Sequence, residues 1–556
     1  MKAQLRLGVM LDHMVVASWI YSILEPLING QGPKLVLIIL NDNGAEVETP
    51  AFPRTLTSVS QKVFDAYVNV DRKLFTRGLG PDAFSPKDAL GLLDRIPRMR
   101  VRPIQNGFVD QFSESDLDLI RSTELDVILR FGFRILDRDI LKAARNGIWS
   151  FHHGDNVFYR GEPNLFWEMY DNSPVSGTVL RVLNGEADQE EVIYKSFSAT
   201  HPYSLHKNRN EAYWKSSCFV GRKLRDLQNS SPISIAAKPP ASGARPNHHR
   251  TPSISQLFRF GIRSVTRLAA AQLRYRLCDE QWFVALARRK ECANGVIPGH
   301  GEFETLPMPA DRFYADPCIV AFEGRHFVFF EDFSFRTGRG RVSCATVEPT
   351  GRIISIEPVL EEPFHLSYPF VFEIDKCYFM IPESASAKSI RLYRAVDFPA
   401  RWVLDRILLH GVEAVDPTIH IRNKMLWMFA NIAQPGASIQ DELHLFYASS
   451  LYGPWRPHPQ NPIVSDVRRA RSAGRLFTSG ENLFRPSQNS SIRYGGSIVI
   501  NEVKEMTTTS YREAKVQEID SKWLNQAVCT HTLNFNQDFV VTDGLRYVSR
   551  RRKFIG

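Results

Sequence analysis

Between residues 147 and 194, GIWSFHHGDNVFYRGEPNLFWEMYDNSPVSGTVLRVLNGEADQEEVIY collects groups able to move protons and hold charge. His152 and His153 follow the Ser150 hydroxyl, a Tyr159-Arg160-Gly161 turn comes next, and Thr178 and Asp188 lie downstream. An imidazole suits general-base work near neutrality, a carboxylate fixes its tautomer, and a hydroxyl can donate to a developing oxyanion. A second set, Asp316, Glu383, Asp416, Glu481 and Arg485, lies in the C-terminal half. Paired carboxyls of this kind can divide proton donor and proton acceptor between them.

Elements must position both sets. At 556 residues the chain is too long for one core, so several domains are expected. LRLGVML and KLVLIIL read as buried strands, SWIYSILEPLI as a helix and LDVILRFGF as a third strand. This alternation predicts a doubly wound α/β domain with a parallel sheet over residues 1–221. No GxGxxG follows the first strand, so a dinucleotide site is not expected. Residues 228–255 have Pro/Ser/Ala/Gly linker composition without aromatics. With the helix predicted over 257–278, they make residues 222–278 a basic connector.

After residue 279 the grammar becomes all-β. YADPCIVAFEGRHFVFFED, LSYPFVFEIDKCYFMIPES, AVDPTIHIRNKMLWMFANI and LFRPSQNSSIRYGGSIVINEV share a template of X-Pro, strand, turn and aromatic strand. Repeats of this length and character predict propeller blades. A fifth blade, closed by QWFVALAR and the tail HTLNFNQDFVVTDGLRYV, completes a five-bladed β-propeller over 279–556.

The first segment resembles the active-site region of the formyltransferase family, which moves a formyl group from 10-formyltetrahydrofolate to an amine. On that resemblance His152 is the base, Asp188 its carboxylate partner, and Tyr159, Arg160, Gly161 and Thr178 belong to the binding region. Ser150 stands where the family carries Asn, leaving a shorter oxyanion donor. His153 replaces a usual Pro, which would bring a second imidazole into the site. The likeness covers about residues 5–200.

The second half resembles the propellers of glycoside hydrolase family 43 and the N-terminal domain of plant glucosamine inositolphosphorylceramide transferases. The likeness is carried by ADP at 315–317, HLSYPFVFE at 365–373, MIPES at 380–384, YGPW and NPI within 452–463, and RPSQ at 485–488. It implies Asp316 as base and Asp416 as the orienting carboxylate, with Glu383 or Glu481 as acid and Arg485 lining the funnel.

The formal charge of +9 resides in residues 222–291, where fourteen Lys/Arg face four Asp/Glu, so the folded domains are not expected to bind nucleic acid. Arg259, Arg263 and Arg267 recur every fourth residue, giving either peripheral contact with an anionic membrane or a merely solvated face. Seven scattered cysteines without a CxxC pair and an N-terminus without an apolar leader lead to the expectation of a reduced cytoplasmic setting with no metal site. The combined expectation is a formyltransferase acting on a nucleotide- or lipid-linked amino sugar in surface-polysaccharide assembly, the propeller recognising the glycan. The alternatives are a degenerate formyltransferase scaffold with the propeller acting as a glycosidase or glycosyltransferase accessory, and a non-enzymatic glycan-binding adaptor.

Overall fold

The computed structural model describes residues 4–30, 32–43, 59–76, 80–107, 109–183, 191–229, 247–249, 251–290 and 296–550. The chain divides into two compact units, with the break between Val265 and Thr266 and with Gln434–Ser438 grouped with the first.

The first unit is built on seven main strands: β1 (Arg6–Leu11), β2 (Lys34–Asn41), β3 (Arg98–Val101), β4 (Val127–Arg130), β5 (Ile148–His152), β6 (Val175–Leu183) and β7 (Glu191–Ala199). Their order is β7-β6-β5-β4-β1-β2-β3. In β1 only Arg6 is exposed, as a central strand covered on both faces requires. Alternate β1 residues serve opposite layers. Leu7, Val9 and Leu11 pack with Trp19, Ile23 and Leu24 of α1 (Ser18–Asn29) and Phe219 and Val220 of α6 (Phe219–Gln228). Met10 packs with Leu117 and Ile120 of α3 (Glu114–Ser122). Leu224 of α6 is buried in the cluster around Leu7, so packing of the first unit continues beyond residue 221.

The sheet is mixed, where a parallel one is predicted. Strands β3, β2, β1, β4 and β5 are parallel, but β6 is antiparallel to both β5 and β7. The reason is the route after β5: the chain reverses through the short helix α4 (Phe166–Asp171) and pairs Val179 with His152, instead of crossing the sheet.

The second unit consists of five antiparallel sheets, the arrangement of a five-bladed propeller. The first strands of blades one to three are Arg312–Phe322, Ser367–Ile374 and Ala414–Arg422. Blade four holds Asn482–Asn489 and Ser497–Met506. Blade five is closed by both ends of the unit, Cys278–Lys290 pairing with Phe539–Ser549 from Cys278↔Ser549 to Arg288↔Phe539. Long continuous pairing between sequence-distant strands ties the ring shut.

A tight approach in this unit is testable. Gly474 has φ +128°, and a β-carbon there would overlap the Leu533 carbonyl oxygen, which is backbone and cannot step aside. Its N–H also donates to the Tyr368 hydroxyl at 2.8 Å. Gly474→Ala should cost about 2–4 kcal/mol, seen as a lower urea midpoint for the second unit; an unchanged midpoint would contradict this packing.

Candidate active site

Three blades carry the same device. The pairing register slips between Ala315 and Cys318, between Ser367 and Phe370, and between Val415 and Thr418. Each slip is a bulge whose residue before proline, Asp316, Tyr368 or Asp416, sits at positive φ of 55°, 42° or 50°. Bulges re-aim side chains, and here they bury all three. Ala315 pairs with Glu331, Ser367 with Glu383 and Val415 with Asn431, so every bulge is matched by a buried polar residue on the second strand.

The groups form one network. The Asp316 carboxylate accepts from Thr532 Oγ1 at 3.0 Å and lies 3.1 Å from His531 Nε2. His531 Nδ1 is 2.9 Å from Asp543, whose carboxylate also accepts the His531, Thr532 and Asp316 backbone N–H groups. Across the site Arg471 donates through Nε to Asp416 at 2.5 Å and lies 3.5 Å from Glu383. Gln488 donates to Asp416 at 3.2 Å, and the Arg471 guanidinium stands over the Tyr494 ring at 4.8 Å. His365 accepts from Gly340 N–H through Nδ1, which leaves its other nitrogen 3.5 Å from Glu331 to carry the proton.

Five carboxyls (Asp316, Glu331, Glu383, Asp416 and Asp543) thus face two cations. Their proton affinities separate accordingly. Burial, then the Asp416 charge, pushes Glu383 up to about 8 despite Arg471. Burial, then Asp316 and Glu383, raises Glu331 well above the usual carboxyl range. Burial would also raise Asp316, but His531 outweighs it and holds the carboxyl below its ordinary value. Burial opposes charge on His531, yet Asp543 and Asp316 keep its pKa near 10. The site therefore offers an ionised Asp316 and a protonated Glu383 at one pH, the division that acid–base chemistry needs. Asp316, His531 and Asp543 could also converge on a cation, but the protonated imidazole already bridges the two carboxylates.

Two expected funnel residues are elsewhere. Glu481 is exposed beside Gly480 in the turn leading into Asn482–Asn489. Arg485 is fully buried but held by Glu513, with Nε and Nη2 each at 2.8 Å from a carboxylate oxygen, and it donates to the Arg469 carbonyl. The physical cause is the absence of a bulge: Arg485↔Asn501 and Pro486↔Ile500 pair in regular register. Arg471, from the segment before blade four, supplies the cation instead. Glu331, Arg471, His531 and Asp543 escaped the sequence reading.

In the first unit Ser150 and His152 share one face at the carboxyl end of β5, near the switch point where ligands of open α/β sheets bind. His152 Nε2 lies 3.0 Å from the Tyr159 carbonyl, and Asp188 falls outside the described residues. Ser150 receives Arg130 Nη1 at 3.3 Å. That guanidinium also donates to the carbonyls of Gly132, Phe133 and Arg134, and burial, then Arg181, lowers its pKa to about 10. His153 does not enter the site: it stacks on Tyr213 at 3.5 Å with an edge to Trp19, and burial drives its pKa well down. Thr178 is buried in mid-strand opposite Ser196. Gly161 turns at φ 117°, and Tyr159, Arg160 and Gly161 pair through their backbones with 247–249. Among the described residues Ser150 is thus bonded by Arg130, and His153 packs against Tyr213 and Trp19.

A family model described as glucosamine inositolphosphorylceramide transferase 1, N-terminal, matches residues 292–529. Proteins named glucosamine inositolphosphorylceramide transferase 1 are similar: that of Oryza sativa subsp. japonica is 34% identical over 209 residues, covering 37% of this chain and 28% of its own. That of Arabidopsis thaliana is 34% identical over 220 residues, covering 38% and 28%. The chain thus spans under a third of these relatives' length. Among solved structures, a family 117 glycoside hydrolase from Zobellia galactanivorans aligns at TM-score 0.32 and 10% identity, over 48% of this chain and 90% of its own. A thermostable family-43 glycoside hydrolase aligns at TM-score 0.31 and 13% identity, over 39% and 83%.

The assignment of Arg485 to structure predicts a specific asymmetry. Glu513→Gln leaves a buried guanidinium without its counter-charge and should cost about 3–5 kcal/mol in urea unfolding of the second unit. The double variant Arg485→Met/Glu513→Leu removes both charges and should recover most of that loss. Equal losses in both variants would refute the pairing argument.

Proposed function

We propose that the second unit acts at a glycosidic bond of a lipid-linked sugar, with Asp316 accepting and Glu383 donating the proton, and that the first unit is a formyltransferase-like scaffold. The observation that carries this reading is the buried cluster in which His531 and Thr532 hold Asp316 while Glu383 shares Arg471 with Asp416, an arrangement that draws Asp316 down and leaves Glu383 raised to about 8. A protonated carboxyl can deliver its proton to a leaving glycosidic oxygen, while an ionised one takes the proton of the attacking hydroxyl or water. Arg471 and Asp416 orient Glu383, and the His531–Asp543 pair stabilises the Asp316 anion. The relatives' name, which joins glucosamine to an inositol-phosphate lipid, supports a substrate of that class.

The first unit offers weaker chemistry. A formyl-transfer centre would require Ser150 to reach the substrate past Arg130. We therefore place amino-sugar formylation with 10-formyltetrahydrofolate second to the scaffold reading, and calorimetry with the reduced folate should show no binding. A His152-dependent binding isotherm would reverse the ranking.

The propeller reading fixes the pH response. Glu383 is in its acid form below about pH 8 and loses the proton above it, whereas Asp316 is ionised from below the usual carboxylate range upward. Activity should hold across neutral pH and decline as pH rises through about 8. Asp316→Asn should lower kcat/KM by about 10²–10⁴ on every substrate. Glu383→Gln should do so on alkyl-linked sugars but spare aryl glycosides, whose leaving groups need no proton. Hydrolysis or transfer measured on both substrate types checks this; equal loss on both would sink the acid assignment.

A further inference from the structure

Helix α7 (Ile254–Leu277) is longer than its packing explains. Only Leu257 and Phe260 are buried, joining Phe64, Phe166 and Trp167 in the first unit. Ile254, Phe258, Ile262 and Val265 recur at spacings of four, four and three, one stripe on a helix, and are 50, 70, 50 and 65% exposed. Helix α2 (Val59–Phe75), whose Tyr67 meets Phe260 edge-on at 5.7 Å, also exposes Val59, Val63, Val70 and Leu74. Leaving a row of large apolar side chains on α7 in water is unusual unless something covers it.

Charge distinguishes among the candidate covers. α7 carries Arg259, Arg263, Arg267, Arg274 and Arg276 and not one Asp or Glu. Arg263 is bound to the Tyr170 carbonyl at 2.9 Å, but Arg259 is exposed next to Phe258 of the apolar stripe. A second copy of the same helix would bring cations against cations. An anionic lipid surface accepts both features together, the apolar side chains entering the acyl boundary and the arginines meeting headgroup phosphates. No helix among the described residues is long and apolar enough to cross a membrane, so the contact is one of lying on it.

We propose that α7 is an interfacial helix that docks the first unit onto an anionic membrane through Ile254, Phe258, Ile262 and Val265, with Arg259 at the lipid phosphates. This surface is independent of the axial carboxyls, so vesicle binding and turnover test separate claims. The experiment is co-sedimentation of the full chain with phosphatidylcholine vesicles, with and without phosphatidylserine, at low and high salt. Binding is expected only with the anionic lipid and should weaken as salt rises. Phe258→Glu/Ile262→Glu and, separately, Arg259→Glu should each weaken it by about tenfold or more, with circular dichroism and urea unfolding unchanged because these side chains are exposed. Failure to bind phosphatidylserine vesicles overturns the proposal, as does undiminished binding by the Phe258→Glu/Ile262→Glu variant. A wild-type dimer on size exclusion that this double variant dissolves, without vesicle binding, assigns the stripe to a second copy and likewise overturns it.

Discussion

Charge balance in a buried space governs the second unit. Asp316, Glu331, Glu383, Asp416 and Asp543 cannot all ionise against Arg471 and protonated His531, since that would leave three uncompensated negative charges away from water. Keeping Glu331 and Glu383 protonated reduces the excess to one. Which carboxyls hold protons follows from who owns the cations. His531 is wedged between Asp316 and Asp543, and Arg471 bonds Asp416 more closely than Glu383. The acid–base polarity of the site is thus a consequence of where two cations were placed.

Placement depends in turn on backbone geometry. The bulges at Asp316, Tyr368 and Asp416 turn three residues off the regular alternation of their strands. Where the bulge is missing, at Arg485, the side chain follows ordinary register and disappears between strands, where Glu513 neutralises it. One slip of register therefore separates a residue that joins the buried polar cluster from one that braces the blade. Asp-Pro is a turn-favouring pair, yet here it marks the aimed position.

Much of this was legible in sequence. The X-Pro repeats located four blades, and QWFVALAR with the tail located the closing one, because strand period and aromatic content survive in any single blade. Glu331 was within reach: the same fifteen residues separate Asp316 from Glu331, Tyr368 from Glu383 and Asp416 from Asn431. His531, Asp543 and Arg471 were not, because they come from connecting segments and the closing blade, where no repeat predicts register. In the first unit β1, β2 and β4 were clear from their apolar runs, but the antiparallel turn of β6 was hidden in the loop chemistry after His152. His153 misled because the side chains that enclose it, Tyr213 and Trp19, lie far from it along the chain.

The axial cluster is costly for a scaffold. Breaking a buried charge pair by removing one partner is strongly destabilising, yet replacing the whole set by packed apolar side chains is often neutral or favourable. A propeller needing only stability has no use for two cations, five carboxyls and three left-handed residues at one place. The blade junctions elsewhere show the cheaper solution: Phe329, Val342, Met380 and Tyr393 fill one such seam with apolar and aromatic groups, and the Tyr393 hydroxyl finds Glu362 at 2.7 Å. The polar set is confined to the site where Asp316 and Glu383 are held in opposite protonation states. Five carboxyls sharing two cations at bulged positions, unlike the one-to-one pairing by which Glu513 holds Arg485, favour a chemical role for the cluster over a structural one.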